Sequence, residues 1–187
     1  NFIVLIILSI FSFETYAQQT SSLKKEDENY IPNLIEEIGN IKLSLDTISE
    51  NYYMISGEGV AGNIGVFVGE SGVYMVENQW SALAPRIKDI ISSITDKPIK
   101  LIINTHFHFD HTNGNMAFRK EGIPIIAHAN ARKRMMQRQV LRGFGSVVQK
   151  PYPKEALSNL TFTDEIKYYD GEEIIELRYF PNAHTDG

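Results

Sequence analysis

A short apolar run that ends in a cluster of histidines constrains this chain more than any other stretch. Residues 100–104 (KLIIN) are typical of a buried strand, and they lead directly into residues 105–115, THFHFDHTNGN. His106 and His108 lie two positions apart, so in an extended backbone their side chains point the same way. Both imidazoles can therefore reach one cation, while Phe107 points the opposite way, into apolar packing.

Asp110 and His111 continue from this strand end into a loop that precedes a predicted helix. They project at different angles from the first pair and could serve a second cation, and Gly114 leaves room for a tight loop. Neutral imidazole and carboxylate suit zinc, with bonds of ~2.0–2.2 Å, and iron and manganese accept the same ligands. The alternative is that these side chains lie at the surface or cap a helix, as Asp110 could. Clustering argues against that alternative, because only His128 lies away from this stretch and from the late His184.

Apolar patterns predict that strands come first and that helices and strands then alternate. Two strands are predicted within residues 41–56, and a hairpin over residues 62–68 and 73–77, with glycines in its turn. Helices are predicted over residues 82–94, 113–120 and 130–141, strands over 100–104, 124–127, 161–168 and 173–180, and a loop over 143–153. This order predicts an α/β or α+β fold in which helices cover a sheet.

Composition excludes several classes of site. The chain has 187 residues, typical of one domain, and a formal net charge of -5, which argues against a nucleic-acid surface. No cysteine occurs, so disulfides, thiolate metal sites and a cysteine nucleophile are excluded within these 187 residues. One group of basic residues is interpreted as the solvated face of a helix: Arg132, Lys133, Arg134, Arg138 and Arg142.

The N-terminus has the pattern of an export signal. Residues 2–13 (FIVLIILSIFSF) are apolar but too short to span a bilayer, which takes about 20 residues. The TYA that ends at Ala17 approximates a small-x-small cleavage site, so residues 1–17 are predicted to be a signal peptide. A buried helix or a membrane anchor is the alternative. Residues 18–40 are expected to be a flexible lead-in, and residues 41–187 the folded domain.

Residues 57–62 (GEGVAG) match a dinucleotide-binding pattern literally. In that fold the glycine turn opens a helix whose N–H groups hold the pyrophosphate. Here the turn leads into residues 63–68 (NIGVFV), whose β-branched pattern predicts a strand. A nucleotide site is therefore not expected.

The motif His106-x-His108-x-Asp110-His111, preceded by a hydrophobic strand and Asn-Thr, resembles that of the metallo-β-lactamase superfamily. Residues 181–187 (PNAHTDG) resemble that family's third-histidine motif, and the predicted hairpin ahead of both also fits. The resemblance covers residues 41–187 and implies the family's αββα sandwich, truncated in its second half. It also implies a set of metal ligands: His106, His108 and His184 for the first metal, and Asp110 and His111 for the second.

The function that this resemblance implies is that of an exported, periplasmic or secreted metal-dependent hydrolase. A zinc-bound hydroxide would attack an ester, lactone, thioester or β-lactam-type carbonyl, and Asp110 would be the catalytic residue that orients it and helps to move its proton. Two zinc ions are expected in a complete domain, with iron possible. The expected partner is a small-molecule substrate, with no nucleic acid and no stable membrane anchor after signal cleavage; the oligomeric state stays open. The alternatives are a mononuclear iron sulfur oxygenase of the same fold and a non-catalytic metal-binding fragment.

Some residues depart from the family pattern or stay open. Glu77 stands where the family usually has an aspartate, and it is either a partner to the metal ligands or a strand-end surface acid. His128 is interpreted as structural, and Trp80 as either a substrate wall or core packing. The chain opens on Asn1 and stops shortly after His184, so it is expected to be cut at its start and to lack at least one further ligand.

Overall fold

The fold is given by a computed structural model that describes residues 28, 30–59, 61–142 and 146–187. The predicted signal peptide and the first part of the predicted lead-in lie outside these residues. Among the helices of the described part, none is long and apolar enough to cross a membrane.

Eleven strands and five α-helices make up the described chain. The strands are β1 (Leu43–Ser49), β2 (Tyr52–Gly57), β3 (Ile64–Val68), β4 (Val73–Val76), β5 (Ile99–Asn104), β6 (Ile125–His128), β7 (Gln139–Leu141), β8 (Val147–Gln149), β9 (Leu160–Phe162), β10 (Glu165–Asp170) and β11 (Glu173–Arg178). The helices are α1 (Tyr30–Ile38), α2 (Ala84–Ser92), α3 (Phe109–Thr112), α4 (Asn115–Lys120) and α5 (Ala129–Met135), with short 3-10 turns at Ser81–Leu83 and Lys154–Ala156.

One mixed sheet organises the molecule, with the strand order β1-β2-β3-β4-β5-β6-β9. In this sheet, neighbouring strands from β1 to β4 pair antiparallel. The remaining neighbours, β4 with β5, β5 with β6 and β6 with β9, pair parallel. Parallel neighbours require crossover connections, and helices α2, α4 and α5 lie in those connections. The carboxyl ends of β4 and β5 therefore lie side by side, and the histidine motif follows β5.

Both faces of this sheet are buried, as expected for strands that are apolar at successive positions. On one face Met75 and Ile102 pack into the core with Ile87 of α2 and Phe118 of α4. On the other face lies a second apolar cluster to which the β10–β11 hairpin contributes Ile175. The sheet thus lies between a helical layer and a hairpin, which confirms the predicted mixed α/β class.

Helix α1 corrects the expectation of a flexible lead-in for residues 30–38. Its Ile38 is fully buried in the helical-side core, and its Tyr30 packs edge-on against Phe109, with ring centroids 6.4 Å apart. The apolar residues of this helix recur at helical spacing, which is the signal that would have predicted it.

The chain after β6 differs most from the predicted order. A helix was predicted over residues 130–141, but α5 ends at Met135. Residues 139–141 of the predicted helix instead form β7, which pairs antiparallel with β8. Strand β8 in turn lies inside the predicted loop over residues 143–153. The backbone N–H of Tyr152 donates to the Met135 carbonyl at 2.8 Å, and this contact satisfies the end of the helix. The residues after the GEGVAG stretch form strand β3 (Ile64–Val68), as predicted.

Candidate metal centre

Histidines from two distant parts of the chain converge at the carboxyl ends of β4 and β5. The His106 ring centroid lies 4.7 Å from that of His108 and 5.0 Å from that of His184. The Nε2 atom of His184 and the Nδ1 atom of His108 are 3.3 Å apart. One nitrogen from each of these residues can be chosen so that all three lie within 4.8 Å of one another. The structure therefore brings together the three residues predicted for the first metal.

A chain of hydrogen bonds fixes which nitrogen of His106 faces this group. The Thr105 hydroxyl donates to the Glu77 carboxylate, so it is left to accept a hydrogen bond from Nδ1–H of His106, 3.0 Å away. The Nε2 atom of His106 is then the unprotonated nitrogen, and it is buried without a hydrogen-bond partner among the described residues. A buried lone pair of this kind suits a metal ligand.

Burial and mutual repulsion keep these imidazoles neutral. Burial, followed by the neighbouring histidines, holds the pKa of His106 well below its ordinary value. Burial lowers the pKa of His108 to about 4, although the Asp110 carboxylate opposes this shift. The pKa of His184 is lowered mainly by burial as well. All three are therefore in the form that binds a metal near neutral pH.

Asp110 and His111 form an ion pair beside the three histidines. Oδ2 of Asp110 lies 3.2 Å from Nε2 of His111. Burial opposes the charge on His111, but Asp110 and Glu77 outweigh it and raise the pKa of His111 to about 9. Burial also favours the neutral acid of Asp110, yet His111 holds the pKa of that carboxyl below its usual range. A cation bound between these two groups would displace the proton of His111.

Glu77 is fully buried, so the interpretation as a strand-end surface acid is wrong. Its Oε1 atom accepts from the Thr105 N–H at 2.9 Å and lies 3.7 Å from Nδ1 of His111. Burial raises the pKa of Glu77, with His111 and Thr105 opposing the shift. Glu77, His106 and His111 also offer three ligand atoms within 4.8 Å of one another. Asp110 is not in that group, so its place at a second metal remains a proposal.

The loop of Glu77, Asn78 and Gln79, which follows β4, packs against the histidine motif. All three residues have zero exposure, and Glu77 and Gln79 have φ angles of 70° and 54°. Such left-handed backbone in non-glycine residues costs about 1–3 kcal/mol each and concentrates at functional sites. The loop holds its position through the motif backbone: Asn78 N–H donates to the His111 carbonyl at 3.2 Å, and Gly114 N–H donates to the Gln79 carbonyl at 2.8 Å.

Two glycines allow the loops to approach this closely. A Cβ on Gly114 would lie 2.5 Å from the Asn78 carbonyl oxygen. A Cβ on Gly62 would lie 3.0 Å from Cε1 of His111, so the loop that ends β2 and precedes β3 packs directly on the His111 ring. The tight loop expected at Gly114 is therefore present.

His128 and Trp80 lie outside the centre. Nε2 of His128 is 2.7 Å from the Thr163 carbonyl oxygen, and its Nδ1 accepts from Asn130 N–H at the start of α5. This arrangement is that of the structural histidine predicted. Trp80 has zero exposure and packs against Phe109 with ring centroids 5.4 Å apart, so it is a core residue and no substrate wall.

The donor set fits divalent cations such as zinc. Two ligands of one tetrahedral zinc ion, each bonded at ~2.0–2.2 Å, lie roughly 3.3–3.6 Å apart. The pair His108 and His184 and the pair Asp110 and His111 have donor separations of 3.3 Å and 3.2 Å. Oδ1 of Asp110, like Nε2 of His106, is buried without a partner among the described residues. Thr105, whose role no sequence motif indicated, completes the set by orienting His106.

A mixed sheet between helices and a hairpin, with histidines and a carboxylate gathered at its strand ends, defines a metallohydrolase type of architecture. Residues 57–187 match the family model of the metallo-beta-lactamase superfamily. The chain belongs to this superfamily.

Solved structures show the same fold. A Cronobacter sakazakii metallo-beta-lactamase is similar with a TM-score of 0.63 and 18% identity, over 82% of this chain and 58% of that chain. A B3 metallo-beta-lactamase described as having an active-site glutamic acid is similar with a TM-score of 0.64 and 18% identity, over 88% of this chain and 60% of that chain. A subclass B3 metallo-beta-lactamase isolated from a soil metagenome library is similar with a TM-score of 0.62 and 22% identity, over 80% of this chain and 56% of that chain. The chain thus spans less than two thirds of the length of these structures.

Proposed function

We propose that this chain is part of an exported metal-dependent hydrolase that uses zinc to cleave an ester, lactone, thioester or β-lactam-type carbonyl. One observation carries the proposal. Three neutral imidazoles, those of His106, His108 and His184, converge beside the Asp110 carboxylate, and Nε2 of His106 and Oδ1 of Asp110 are buried without a hydrogen-bond partner within the part of the chain that the structure describes. Three histidines with an open position are the ligand set of a catalytic zinc site.

Zinc held by His106, His108 and His184 would supply Lewis acidity and would lower the pKa of a bound water towards ~7. The residues of the chain then have separate tasks. Thr105 and Glu77 hold His106 in the required tautomer. Asp110 would accept a hydrogen bond from the attacking water at Oδ1, orient that water towards the carbonyl and help to move its proton. Asp110 and His111 are proposed as ligands of a second metal, which would stabilise developing negative charge.

The substrate class follows from the type of centre and from the family. The solved structures of similar fold are described as metallo-beta-lactamases, and at 18–22% identity their likeness concerns the fold. A β-lactam is therefore one member of the proposed class of carbonyl substrates. The other proposed properties are a small-molecule partner, no nucleic acid, no stable membrane anchor after signal cleavage, and a periplasmic or secreted location. They rest on the net charge of -5 and on the pattern of residues 1–17.

Metal content of the full-length protein without its signal peptide, measured by elemental mass spectrometry, tests the proposal. We expect two zinc ions per chain, with loss of metal in His108→Ala. Lys120→Ala is the control, because it changes an exposed residue at the end of α4 that lies outside the centre and should keep wild-type metal content. Hydrolysis of β-lactams, lactones and thioesters would then be screened with the same three proteins.

The other outcomes separate the alternatives. A single iron per chain would contradict the hydrolase and favour the sulfur oxygenase. No metal in the wild type, or equal metal in wild type and His108→Ala, would remove the support for an enzyme at this site.

A further inference from the structure

We propose that Arg134 is a positioning residue that fastens the segment bearing His184 to the loop bearing His106 and His108. The inference rests on the proposed metal site. It concerns a residue on α5 that supplies no ligand atom and that the motifs do not include.

A single guanidinium contacts both ligand-bearing segments. Nε and Nη2 of Arg134 donate to the two carboxylate oxygens of Asp186, at 3.1 Å and 2.8 Å, two residues after His184. The same guanidinium lies over the ring of Phe107, with its carbon 5.9 Å from the ring centroid. Phe107 is the residue between His106 and His108, and it is only 7% exposed. Arg134 therefore bridges the two parts of the chain whose meeting creates the first metal site.

A second contact from α5 reinforces the bridge. The side-chain amide of Asn130 donates to the Asp186 backbone carbonyl at 2.7 Å. Gly187 lies against the ring of His128, since a Cβ there would be 2.3 Å from Nδ1. The first turn of α5 and its N-cap thus hold the backbone after His184 on one side, and Arg134 holds its side chain.

His184 needs such fastening more than the other ligands do. His106 and His108 follow directly from the buried strand β5, whereas residues 181–184 follow β11 as exposed turns outside any strand or helix. An exposed segment samples many conformations. A contact that holds the segment in one of them before the metal binds lowers the entropic cost of bringing the ligands together. Arginine suits this task because its planar fork binds a carboxylate with two bonds and stacks on an aromatic face, which lysine cannot do.

The competing explanation is an ordinary surface ion pair. The side chains of Arg134 and Asp186 are each 43% exposed, and exposed pairs contribute about 0–1 kcal/mol to stability. Stability therefore discriminates poorly between the two explanations. The binding of a metal that needs His184 discriminates well, because a positioning residue changes affinity and ligand geometry while a surface pair does not.

The positive charge of Arg134 lets the direction of the change in metal affinity separate the two explanations. Removal of a cation near a metal site should strengthen metal binding by Coulomb's law. If Arg134 positions His184, its removal should weaken binding instead. Lys133 is the matched control, because it is an exposed cation of the same helix, next to Arg134 in sequence.

The experiment titrates cobalt(II) into the metal-free, full-length protein, with affinity measured by competition with a chelator and ligation followed by the visible d–d spectrum. Arg134→Met should weaken the first equivalent about 3- to 10-fold and shift its spectrum towards that of His184→Ala. Lys133→Met should keep or slightly strengthen wild-type affinity, and Arg134→Lys should fall between wild type and Arg134→Met. Asp186→Ala combined with Arg134→Met should cost no more than the larger single change, because both act through one contact.

Wild-type affinity and spectrum in Arg134→Met would overturn the role of Arg134 and leave the proposed function standing. Additive losses from Arg134→Met and Asp186→Ala would also overturn it. A wild-type protein that binds no cobalt would overturn the proposed function and this inference together. Thermal unfolding of each metal-free variant shows whether the fold is intact before any loss of affinity is assigned to position.

Discussion

The hydroxyl of Thr105 joins a buried carboxylate to a candidate ligand, and this contact can be tested by one change. Thr105→Val keeps the shape of the side chain and removes the link between Glu77 and Nδ1 of His106. The imidazole then loses its orientation, so we expect zinc affinity to fall roughly 10–100-fold. Chelator competition measures the effect. Thr105→Ser is the control that retains the hydroxyl, and an equal loss in both variants would contradict the orienting role.

Asp110 is expected to matter for turnover more than for the first metal. Asp110→Asn keeps the size of the side chain and removes the charge that pairs with His111 at 3.2 Å. We expect kcat to fall about 10²- to 10⁴-fold, as for the loss of a general base, while one zinc ion per chain stays bound. Steady-state kinetics with the substrate found by screening and metal analysis of the same sample measure both. Retained activity in this variant would exclude the proposed role.

At the residue scale, spacing in the sequence indicated that the histidines of the motif lie close together, but it did not indicate the residues that support them. His106, His108 and His111 are separated by two and three residues after an apolar strand, so their proximity follows from local geometry. Glu77 and Arg134 reach the centre through tertiary contacts between distant elements, and no local spacing indicates those contacts.

At the scale of elements, the close approach of two loops depends on a glycine. Gly114→Ala would place a Cβ 2.5 Å from the Asn78 carbonyl oxygen, which belongs to backbone that cannot rotate away. We expect a loss of about 1–3 kcal/mol in the free energy of unfolding, as for overpacking in a core. Gly65→Ala is the control, because its Cβ would meet Val76 at an ordinary 3.5 Å. Urea unfolding of both variants measures the difference, and equal stability would contradict the close packing.

The β10–β11 hairpin is tied to the main sheet by one buried carboxylate, and this tie should depend on pH. Asp170 is 4% exposed and accepts from the Ser71 N–H at 3.1 Å with both oxygens, in the turn between β3 and β4. Burial alone would raise the pKa of Asp170, but the Ser71 hydrogen bonds outweigh it and lower that pKa below its usual value. A carboxyl with a lower pKa in the folded state stabilises the protein above its unfolded-state pKa. That stabilisation is lost as pH falls through the folded-state pKa.

Asp170→Asn should therefore destabilise the protein by about 1–2 kcal/mol at neutral pH. The difference from wild type should shrink as pH falls from about 5 to below about 3. Urea titrations at several pH values measure this convergence. A difference that stayed constant over the whole range would show that the charge of Asp170 is not what stabilises the hairpin.

Predicted elements were correct where the pattern was strong and the neighbours were close in sequence. The β3–β4 hairpin followed from the glycines of its turn, and strand β5 from a short apolar run. The end of α5 did not, because Gln139–Leu141 has a helical pattern locally and becomes a strand by pairing with Val147–Gln149. Helix α1 was missed since its polar surroundings outweighed its apolar stripe.

At the scale of the whole molecule, the single tryptophan lies where the core meets the candidate centre. Trp80 is fully buried and touches Phe109, the residue between His108 and Asp110. We expect its fluorescence to shift to longer wavelength on unfolding, in the same transition as far-ultraviolet circular dichroism. Two separate transitions would show that this region unfolds apart from the rest of the sheet.

The fold class was predictable because it depends on the order of elements, which apolar periodicity shows directly. The layered arrangement was predictable only through the resemblance to a family, since no pattern states which face the β10–β11 hairpin covers. The hairpin contacts the sheet through Ile175, which packs against residues far away in the sequence, and local patterns do not indicate such contacts.

The exposed turns that carry His184 have a consequence for kinetics. Four of the candidate ligands, His106, His108, Asp110 and His111, lie within six residues at the end of β5 and in α3, while the fifth, His184, lies in exposed turns outside any strand or helix. Local opening of such a segment requires far less free energy than global unfolding. A bound ion would therefore exchange through local opening of the turns that carry His184, many times within the lifetime of one folded molecule.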